Sequence, residues 1–347
     1  MDLYDFSCKP NMVWLTVDRR CNFRCQWCYC GATHYNPKDK MPIKLAKELV
    51  LIGIDAGAMD FNIIGGEPTL WPGLLELNRY CKELGVTTGI ITNAARFGDD
   101  KFWSEYQRYP CDKISISVKS TDREQFRNVT GSRIYDQTMV GIERAISFYQ
   151  TGITTVYNSL VGLSGLKQIA TTCHELGACS IIVNMCSPVI GDNGVEQGYA
   201  IEPHQLVKDI MDMYPFLDEL YDGHVEIDVQ MPLCLFPTSF VEKVLAKGKL
   251  ATMCQVFSRT GINFDINGDV MLCNELFDGI VARKGADYHN GASLLEHLNG
   301  ENLRDEYRQL LRYPSDACDG CRWANDCRGG CLLNWMVFDP SICHTIS

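Results

Sequence analysis

Features that direct a chain into a membrane or out of the cell are missing from this sequence of 347 residues. Its apolar runs, such as LVLIGI at 49–54, fall far short of the roughly 18 residues that a membrane helix needs. The first residues, MDLYDFSCKPNM, contain neither the basic nor the apolar segment of a secretory signal. We therefore expect a cytoplasmic protein with no membrane partner.

A basic excess is also missing. Lysine and arginine number 32 against 43 aspartates and glutamates, which gives a net charge of −11. Proteins that bind nucleic acid usually carry an excess of positive charge for the phosphates. We therefore expect no nucleic-acid partner.

Cysteine, in contrast, is abundant, with 18 residues. A reducing cytoplasm disfavours structural disulfides, so this number points to metal or redox chemistry. Cysteine is also a common core residue, and only the spacing can separate ligands from packing residues.

The first two-thirds of the chain alternates apolar β-type runs with amphipathic stretches. The predicted strands are 12–17, 59–64, 86–92, 113–118, 153–161 and 179–185, and the predicted helices are 42–56, 73–84, 99–108, 136–151 and 165–176. Such alternation predicts an α/β fold with a parallel sheet and outer helices, in the form of a partial or full barrel. Active-site groups then belong at the carboxyl ends of the strands.

The pattern fades after about residue 190. A helix at 203–214 and a strand at 225–229 are predicted, and the remainder is loop-rich and holds eight of the cysteines. We therefore predict two domains, 1–225 and 226–347.

The stretch CNFRCQWCYC directly follows the first predicted strand. Cys21, Cys25 and Cys28 would supply three thiolates, one fewer than a [4Fe–4S] cluster normally takes, which leaves one iron open to a small molecule. A zinc site that adds Cys30 and His34 is one alternative. A ferredoxin-type cluster that uses all four cysteines is another.

Two motifs in this part of the chain resemble the radical S-adenosylmethionine (radical SAM) superfamily. The spacing Cys-x3-Cys-x-aromatic-Cys is matched by the three cysteines with Trp27, and the GGEP motif by Gly65, Gly66, Glu67 and Pro68 after the second strand. The resemblance spans roughly 12–190 and implies a partial (β/α)6 TIM-like barrel with SAM bound to the open iron. GGEP would bind the SAM amino group: the glycines allow close backbone approach to the ligand, and Glu67 accepts from the ammonium.

Softer matches place three more residues near SAM. Ser117 follows the family's use of a serine at the end of the fourth strand, whereas Lys119 departs from the acidic residue often found two positions later. Arg133 is a candidate partner of the SAM carboxylate, and Asn158 on the fifth strand is a further candidate.

The C-terminal cysteines resemble the SPASM extension of radical SAM enzymes, with two structural zinc sites as the alternative. The spacing is Cys254-x13-Gly268-x4-Cys273, then Cys318-x2-Cys321-x5-Cys327-x3-Cys331, then Cys343. The INGDV segment around Gly268 predicts a hairpin turn that brings Cys273 back toward Cys254.

The resemblance implies two auxiliary [4Fe–4S] clusters. The nearer one would use Cys254, Cys273 and Cys331, with Cys234 as a candidate fourth ligand or else an open iron. The farther one would use Cys318, Cys321, Cys327 and Cys343. The other cysteines have no ligand spacing and are expected to be mostly packing residues: Cys8, Cys30, Cys81, Cys111, Cys173, Cys179 and Cys186.

The SPASM resemblance implies an enzyme that uses a 5′-deoxyadenosyl radical to abstract hydrogen from a ribosomally made peptide or a protein, and then crosslinks, epimerises or excises part of it. An electron donor such as flavodoxin or ferredoxin would reduce the cluster. Because Cys21 lies so near the start, we expect no leader-binding domain before the core, and a separate leader-peptide recognition protein becomes a candidate partner.

Alternatives remain at this stage. Asn274 stands where sulfatase-maturing enzymes carry a catalytic aspartate, which weakens that assignment, and Glu275 or Asp278 becomes the candidate general base. A dehydrogenase or epimerase of sugars or aminocyclitols would share every motif. Molybdenum-cofactor synthesis matches the DREQFRNVTG segment but not the C-terminal cysteines. A non-catalytic iron–sulfur or zinc protein is the alternative outside enzymes.

Overall fold

The computed structural model describes residues 7–191, 194–248, 250–251, 254–310 and 314–345. Its strands are β1 (Met12–Asp18), β2 (Asp60–Gly65), β3 (Thr87–Thr92), β4 (Lys113–Val118), β5 (Ile153–Tyr157), β6 (Ile181–Met185), β7 (Val189–Gly191), β8 (Gly194–Glu196), β9 (Val225–Asp228), β10 (Leu250–Ala251), β11 (Gly261–Phe264), β12 (Val270–Cys273) and β13 (Leu276–Ala282). The six strands predicted in the first part of the chain are confirmed.

The helices cover both parts of the chain. They are α1 (Ile43–Asp55), α2 (Leu74–Leu84), α3 (Asp100–Tyr106), α4 (Arg123–Thr130), α5 (Tyr135–Tyr149), α6 (Gly162–Glu175), α7 (Pro203–Leu220), α8 (Thr238–Ala246), α9 (Gln255–Ser258), α10 (Gly291–Leu298), α11 (Glu301–Leu310) and α12 (Ala324–Cys327). None of these described helices has the length and apolar character that a membrane crossing requires.

One sheet of eleven strands runs through the described ranges, in the order β10-β9-β6-β5-β4-β3-β2-β1-β11-β12-β13. From β10 to β11 every neighbouring pair is parallel, and β11, β12 and β13 form an antiparallel meander. This mixed α/β fold, with its central parallel sheet, is the predicted partial barrel with a cysteine-rich C-terminal region.

The sheet continues past the predicted domain boundary. β9 begins at Val225 and joins β6, while Met12 of β1 pairs with Gly261 of β11. The C-terminal region is also less loop-rich than expected, because it contains α8, α10 and α11. The division at 225 itself stays a prediction.

Two helices differ from the sequence expectation. The prediction ended the helix at 214, before Pro215, but α7 continues through the proline to Leu220 because Leu217 and Tyr221 are buried in the core beyond it. Helix α4 was not predicted. Its ends are well specified, since the Asp122 side chain accepts from the Gln125 N–H and Gly131 closes it in the left-handed conformation.

The hairpin predicted around Gly268 is confirmed. Phe264 of β11 pairs with Val270 of β12 across the turn. Gly268 has a φ of +89°, which a glycine adopts without steric cost. This turn returns the chain to Cys273 at the end of β12.

Because β1 to β6 and β9 are parallel, their carboxyl ends lie on one edge of the sheet. The ends of these strands and the segments that follow them contain the predicted cysteine loop, GGEP, Ser117 and Asn158. The fold therefore gathers these motifs on the side where an α/β barrel places its active site.

Candidate active site at the carboxyl edge of the sheet

The three cysteines of the first loop form a group of half-buried thiols. Cys25 and Cys28 each raise the pKa of Cys21, and Cys28 raises that of Cys25, so all three sulfur atoms are electrostatic neighbours. Burial is the largest cause of the raised pKa of Cys21 and Cys25. The donor set therefore fits an iron–sulfur cluster held by three thiolates.

Cys30 belongs to the core rather than to this set. Its side chain is 1% exposed, and its Sγ donates to the Gly65 carbonyl at 3.9 Å. The Cys30 thiol also lies within hydrogen-bond reach of Cys28, and this is the main reason why the pKa of Cys28 is lowered to about 6. Cys30 thus stabilises the Cys28 thiolate, although it is a buried core residue that lies outside the ligand spacing.

The GGEP segment holds the start of the cysteine loop. The Gly66 N–H donates to the Asp18 carbonyl at 2.7 Å, and the Glu67 N–H donates to the Arg20 carbonyl at 2.7 Å. A Cβ on Gly65 would lie 2.3 Å from the Asp18 oxygen, and one on Gly66 would lie 2.3 Å from the Arg20 oxygen. We expected the glycines to allow approach to a ligand; in the structure they allow close approach to the backbone just before Cys21.

The Glu67 carboxylate lies inside the protein, 1% exposed. Its Oε1 accepts hydrogen bonds from the Thr69 N–H, the Thr69 hydroxyl and the Thr92 hydroxyl, and its Oε2 accepts from the Asn93 N–H at 2.9 Å. Burial raises the pKa of Glu67 although these donors oppose the rise. The side chain therefore ties the ends of β2 and β3 together, and its predicted contact with the SAM amino group stays a prediction.

The remaining residues predicted near SAM are placed as follows. Ser117 accepts a hydrogen bond from the Lys119 ammonium at 2.6 Å, and Arg133 is exposed. Asn158 is fully buried, with its Oδ1 accepting from the Leu160 N–H at 2.9 Å in its own loop. Trp27 packs in the main core, and Pro68 begins a short helical turn. Their roles toward SAM stay predictions.

Lys119 places a cation where radical SAM enzymes often have an acidic residue. The side chain is half-buried, and its charge lowers the pKa of both Cys25 and Cys28. A positive charge thus stands beside two of the three thiols.

Cys254, Cys273 and Cys331 form a second set, in which each sulfur is an electrostatic neighbour of the other two. Cys254 and Cys273 also pack in one apolar cluster around Val256 and Tyr307. The hairpin therefore brings Cys273 to Cys254, as the position of Gly268 predicted.

Glu275 is an electrostatic neighbour of both this second set and the first loop. It sits in the two-residue turn between Cys273 and Leu276, which pair across β12 and β13. Its charge raises the pKa of Cys254, Cys273 and Cys331, and Cys28 in turn helps to raise the pKa of Glu275 to about 7, for which burial is the main cause. The side chain of Asp278, the other predicted base, lies outside the described residues.

Sequence reasoning missed a polar network beside Glu275. Ser187, which lies within hydrogen-bond reach of that carboxylate, donates to Gln230 Oε1 at 2.6 Å, and Gln230 Nε2 donates to Asp228 Oδ2 at 3.3 Å. The Gln230 carbonyl accepts from the Cys331 N–H at 3.0 Å. Burial raises the pKa of Asp228 to about 6. The sequence signal that could have indicated this network is Asp228, a carboxylate near the end of the predicted strand 225–229.

A third set of thiols lies around the C-terminus. Cys234, the candidate fourth ligand of the nearer cluster, is buried against Cys343 and Trp335, and its role as a ligand stays a prediction. The neighbouring Leu233 N–H donates to the Cys327 sulfur at 3.2 Å. Cys318 and Cys321 lie half-buried on the adjoining turns. Within the described ranges, no group of three His, Cys, Asp or Glu side chains is close enough together to hold a single metal ion.

Comparison with curated proteins finds relatives named as nucleotide-modifying enzymes. A probable GTP 3′,8-cyclase of Saccharolobus islandicus is 31% identical over 312 residues, which cover 86% of this chain and 90% of the relative. One of Sulfurisphaera tokodaii is 28% identical over 195 residues, which cover 55% of each chain. The chain thus spans about half the length of some curated relatives that it matches.

Solved structures share the fold over nearly the whole chain. Streptococcus suis SuiB bound to its precursor peptide SuiA has a TM-score of 0.68 at 18% identity and covers 97% of this chain and 76% of SuiB. AnSMEcpe with bound AdoMet and the Kp18Cys peptide has a TM-score of 0.68 at 16% identity and covers 93% and 89%. The family model described as the Radical SAM superfamily matches residues 15–168, which contain the cysteine loop and GGEP. The chain belongs to the radical SAM superfamily.

Proposed function

We propose that this radical SAM enzyme acts in the cytoplasm and oxidatively modifies a ribosomally made peptide or a protein, by crosslinking, epimerisation or excision. Cys21, Cys25 and Cys28 would hold the SAM cluster, and the two C-terminal sets of thiols would hold two auxiliary [4Fe–4S] clusters in a SPASM domain. A flavodoxin or ferredoxin would supply electrons, and a separate recognition protein would present the leader peptide.

The observation that carries the proposal is the position of Glu275. Its carboxylate is an electrostatic neighbour of Cys28 and also of Cys254, Cys273 and Cys331. A substrate bound there would lie between the radical source and an auxiliary cluster. Such a cluster suits reactions that must remove a second electron after hydrogen abstraction.

The chain's own residues would divide the work as follows. SAM and the reduced cluster, when bound, supply the 5′-deoxyadenosyl radical that abstracts hydrogen. The hydrogen bonds of the Glu67 carboxylate, together with Gly65 and Gly66, hold the cysteine loop against β2 and β3. Glu275 would accept the proton that the oxidised substrate loses, because its carboxylate is an electrostatic neighbour of both thiol sets. Ser187 and Gln230 would orient it.

The charge of the site favours a peptide over a nucleoside triphosphate. Two carboxylates, Glu275 and Asp228, lie together at this edge, with Lys119 as a neighbouring cation. Like charges brought together in an interface cost several kcal/mol by order of magnitude, so a triphosphate would need more basic partners here. Solved structures of the same fold that contain peptides support the same choice.

A nucleotide substrate is the second candidate, and a specific observation favours it. The relative from Saccharolobus islandicus, named as a probable GTP 3′,8-cyclase, aligns with 86% of this chain. A guanine nucleotide would have to place its phosphates away from Glu275, toward Lys119 or Arg133.

The experiment that separates the two starts from anaerobic reconstitution with iron and sulfide. We expect about 12 irons per chain, four for each of three clusters, and production of 5′-deoxyadenosine with dithionite or flavodoxin. A peptide encoded next to this gene, labelled with deuterium, should transfer deuterium to 5′-deoxyadenosine and change in mass. GTP should be left unchanged. GTP consumption without any peptide modification would establish the second candidate, and bound zinc without SAM cleavage would overturn both.

A further inference from the structure

Two polar atoms on one face of the central sheet are buried without a partner. They are the indole Nε1 of Trp14 in β1 and the side-chain Oδ1 of Asn263 in β11, and neither has a hydrogen-bond partner among the described residues. The whole side chain of Asn263 is only 6% exposed. An unpaired buried polar group costs stability, and natural proteins break this rule mainly at functional sites.

The strand register shows which way the two side chains point. A Cβ on Gly53 of α1 would lie 2.9 Å from Val13 and 2.8 Å from Phe61, so α1 covers the face of the sheet that these two residues share. Side chains alternate along a strand, which turns Trp14 to the opposite face. Asn263 is the register partner of Trp14 and shares that face. Because the helices of an α/β barrel lie outside, this face is the inner one.

Amide side chains lie beside this pair. The amides of Asn62 and Gln255 each donate to the Met12 sulfur, at 3.9 and 3.0 Å, and a thioether is a weak acceptor. Asn62 is the register partner of Trp14 on β2 and therefore belongs to the same inner face. Neutral groups of this kind suit an uncharged ligand, since a buried ion needs a partner of opposite charge.

Trp14 and Asn263 together offer one donor and one acceptor side by side. They are paired across β1 and β11, and neighbouring strands lie about 4.8 Å apart. Asn263 Nδ2 donates to the Leu272 carbonyl at 3.5 Å, which leaves Oδ1 as the free acceptor. A primary carboxamide presents its oxygen and one N–H on the same edge, whereas a trans peptide bond points them in opposite directions. The pair therefore matches the side-chain amide of an asparagine or a glutamine.

We propose that Trp14 and Asn263 form a subsite that binds a carboxamide side chain of the peptide substrate. The Trp14 N–H donates to the oxygen of that amide, and Asn263 Oδ1 accepts from its N–H. This inference rests on the proposed function, because it names the part of the peptide that the enzyme recognises. Leu272, which accepts from Asn263, precedes Cys273, so the subsite adjoins the thiols proposed for the nearer cluster.

Thermal unfolding of Asn263→Leu separates a binding role from a structural one. Leucine has a similar volume and needs no hydrogen bond, so the variant should melt at the wild-type temperature or above it. Asn78→Leu is the matched control and should melt lower, because Asn78 is 3% exposed but donates to a backbone carbonyl at 3.0 Å. Trp14→Phe and Trp71→Phe form a second pair, since the Trp71 N–H donates to a carbonyl at 2.8 Å. Equal losses of stability within each pair would overturn the subsite.

Kinetics with the reconstituted enzyme test the binding itself. The probe is the peptide encoded next to this gene, with each asparagine and glutamine replaced in turn by aspartate or glutamate. Trp14→Phe and Asn263→Leu should each raise KM for the unaltered peptide by about tenfold, with a smaller change in kcat, and Asn78→Leu should not. One replacement in the peptide should cause a similar loss. In Asn263→Leu the same replacement should cost little more, because its partner is already gone.

The remaining outcomes identify what fails. An unchanged KM in both variants, or a peptide that tolerates every replacement, would overturn the subsite and leave the proposed function intact. A rise in KM for GTP instead of the peptide would assign the subsite to the lactam edge of guanine, which also presents an oxygen and an N–H together. A wild type that cleaves SAM but modifies no peptide would contradict the proposed function itself, whatever the stability comparison shows.

Discussion

The hydroxyl of Thr92 lies 2.6 Å from Oε1 of Glu67, and this hydrogen bond joins the carboxyl ends of β3 and β2. The same carboxylate accepts from Thr69 and from the Asn93 N–H, so one buried group organises three backbone segments. Asn93 in turn donates to Asn22, the residue after the first cysteine, at 2.8 Å. The cysteine loop is thus connected to the sheet through Glu67.

Replacing Glu67 by glutamine should therefore weaken both the fold and SAM binding. The amide keeps one acceptor oxygen, but its NH₂ group replaces the other oxygen and faces a donor such as the Asn93 N–H. Both donors are then left buried without an acceptor. We expect the free energy of unfolding to fall by about 2–3 kcal/mol. Urea unfolding and calorimetric titration with SAM would measure the two effects. Exposed Glu83→Gln is the control, and an unchanged Glu67→Gln would show that the bridge is dispensable.

Gly66 tests how tightly the GGEP backbone is packed. Gly66→Ala would place a Cβ 2.3 Å from the Arg20 oxygen and 2.6 Å from the Arg19 oxygen, closer than real contacts allow. The start of the cysteine loop must then shift, and we expect loss of the SAM cluster. Gly31→Ala is the matched control, because its Cβ would meet nothing within 4 Å. Iron content and 5′-deoxyadenosine production would be measured, and equal values for both variants would contradict the packing argument.

Much of this site was predictable because its signals are local. β1 and the loop after it follow from an apolar run and the spacing of Cys21, Cys25 and Cys28. The turn at Gly268 needs a glycine, and the pairing of Phe264 with Val270 follows from it. Patterns of this kind need only a few neighbouring residues to be interpreted.

The parts that were missed depend on contacts between distant segments. Gln230 touches Cys331 across about a hundred residues, and Cys234 meets Cys343 over a similar separation. No spacing rule relates such pairs, since the folded sheet and the packing of Trp335 determine them. The length of α7 also depends on distant packing: the sequence pattern predicts a helix over 203–214, and buried side chains beyond Pro215 continue it to Leu220.

The division of the four cysteines in CNFRCQWCYC can be tested directly. Cys25→Ala should abolish SAM cleavage, because it removes one of three cluster ligands. Cys30→Ala should keep it, because Cys30 is a buried core residue beside Cys28 that lies outside the ligand spacing. The production of 5′-deoxyadenosine by the reconstituted variants would be compared. Loss of cleavage in a folded Cys30→Ala protein with full iron content would mean that its thiol has a further role.

Lys119 should raise the reduction potential of the SAM cluster. Its half-buried charge stabilises negative charge on Cys25 and Cys28, and reduction adds negative charge at the same place. Lys119→Met should therefore have a more negative midpoint potential, and Lys119→Arg should retain most of the wild-type value. The potential would be followed by electron paramagnetic resonance in a background that lacks the auxiliary cysteines.

The control for this titration is Lys113→Met at the start of β4, whose exposed ammonium pairs with Asp60 at 2.8 Å instead. An unchanged potential in Lys119→Met, or an equal shift in Lys113→Met, would show that the Lys119 charge does not act on the cluster.

Asp228 should make the protein less stable as the pH rises. Burial raises its pKa from 3.8 to about 6, so the folded chain keeps a proton that the unfolded chain releases at lower pH. Between these two values the folded state binds more protons, and stability falls as the pH rises through this window. Above it, the ionised carboxylate is buried at a cost.

Asp228→Asn removes this cost while its amide oxygen can still accept the hydrogen bond from Gln230. We expect the variant to melt on the order of 2 °C above the wild type at pH 8, with the difference shrinking toward pH 5. Anaerobic thermal unfolding of the reconstituted proteins would measure it, with exposed Asp222→Asn as the control. An advantage that grows as the pH falls would contradict the sign, because it would mean that the ionised form of Asp228 is the one that the fold stabilises.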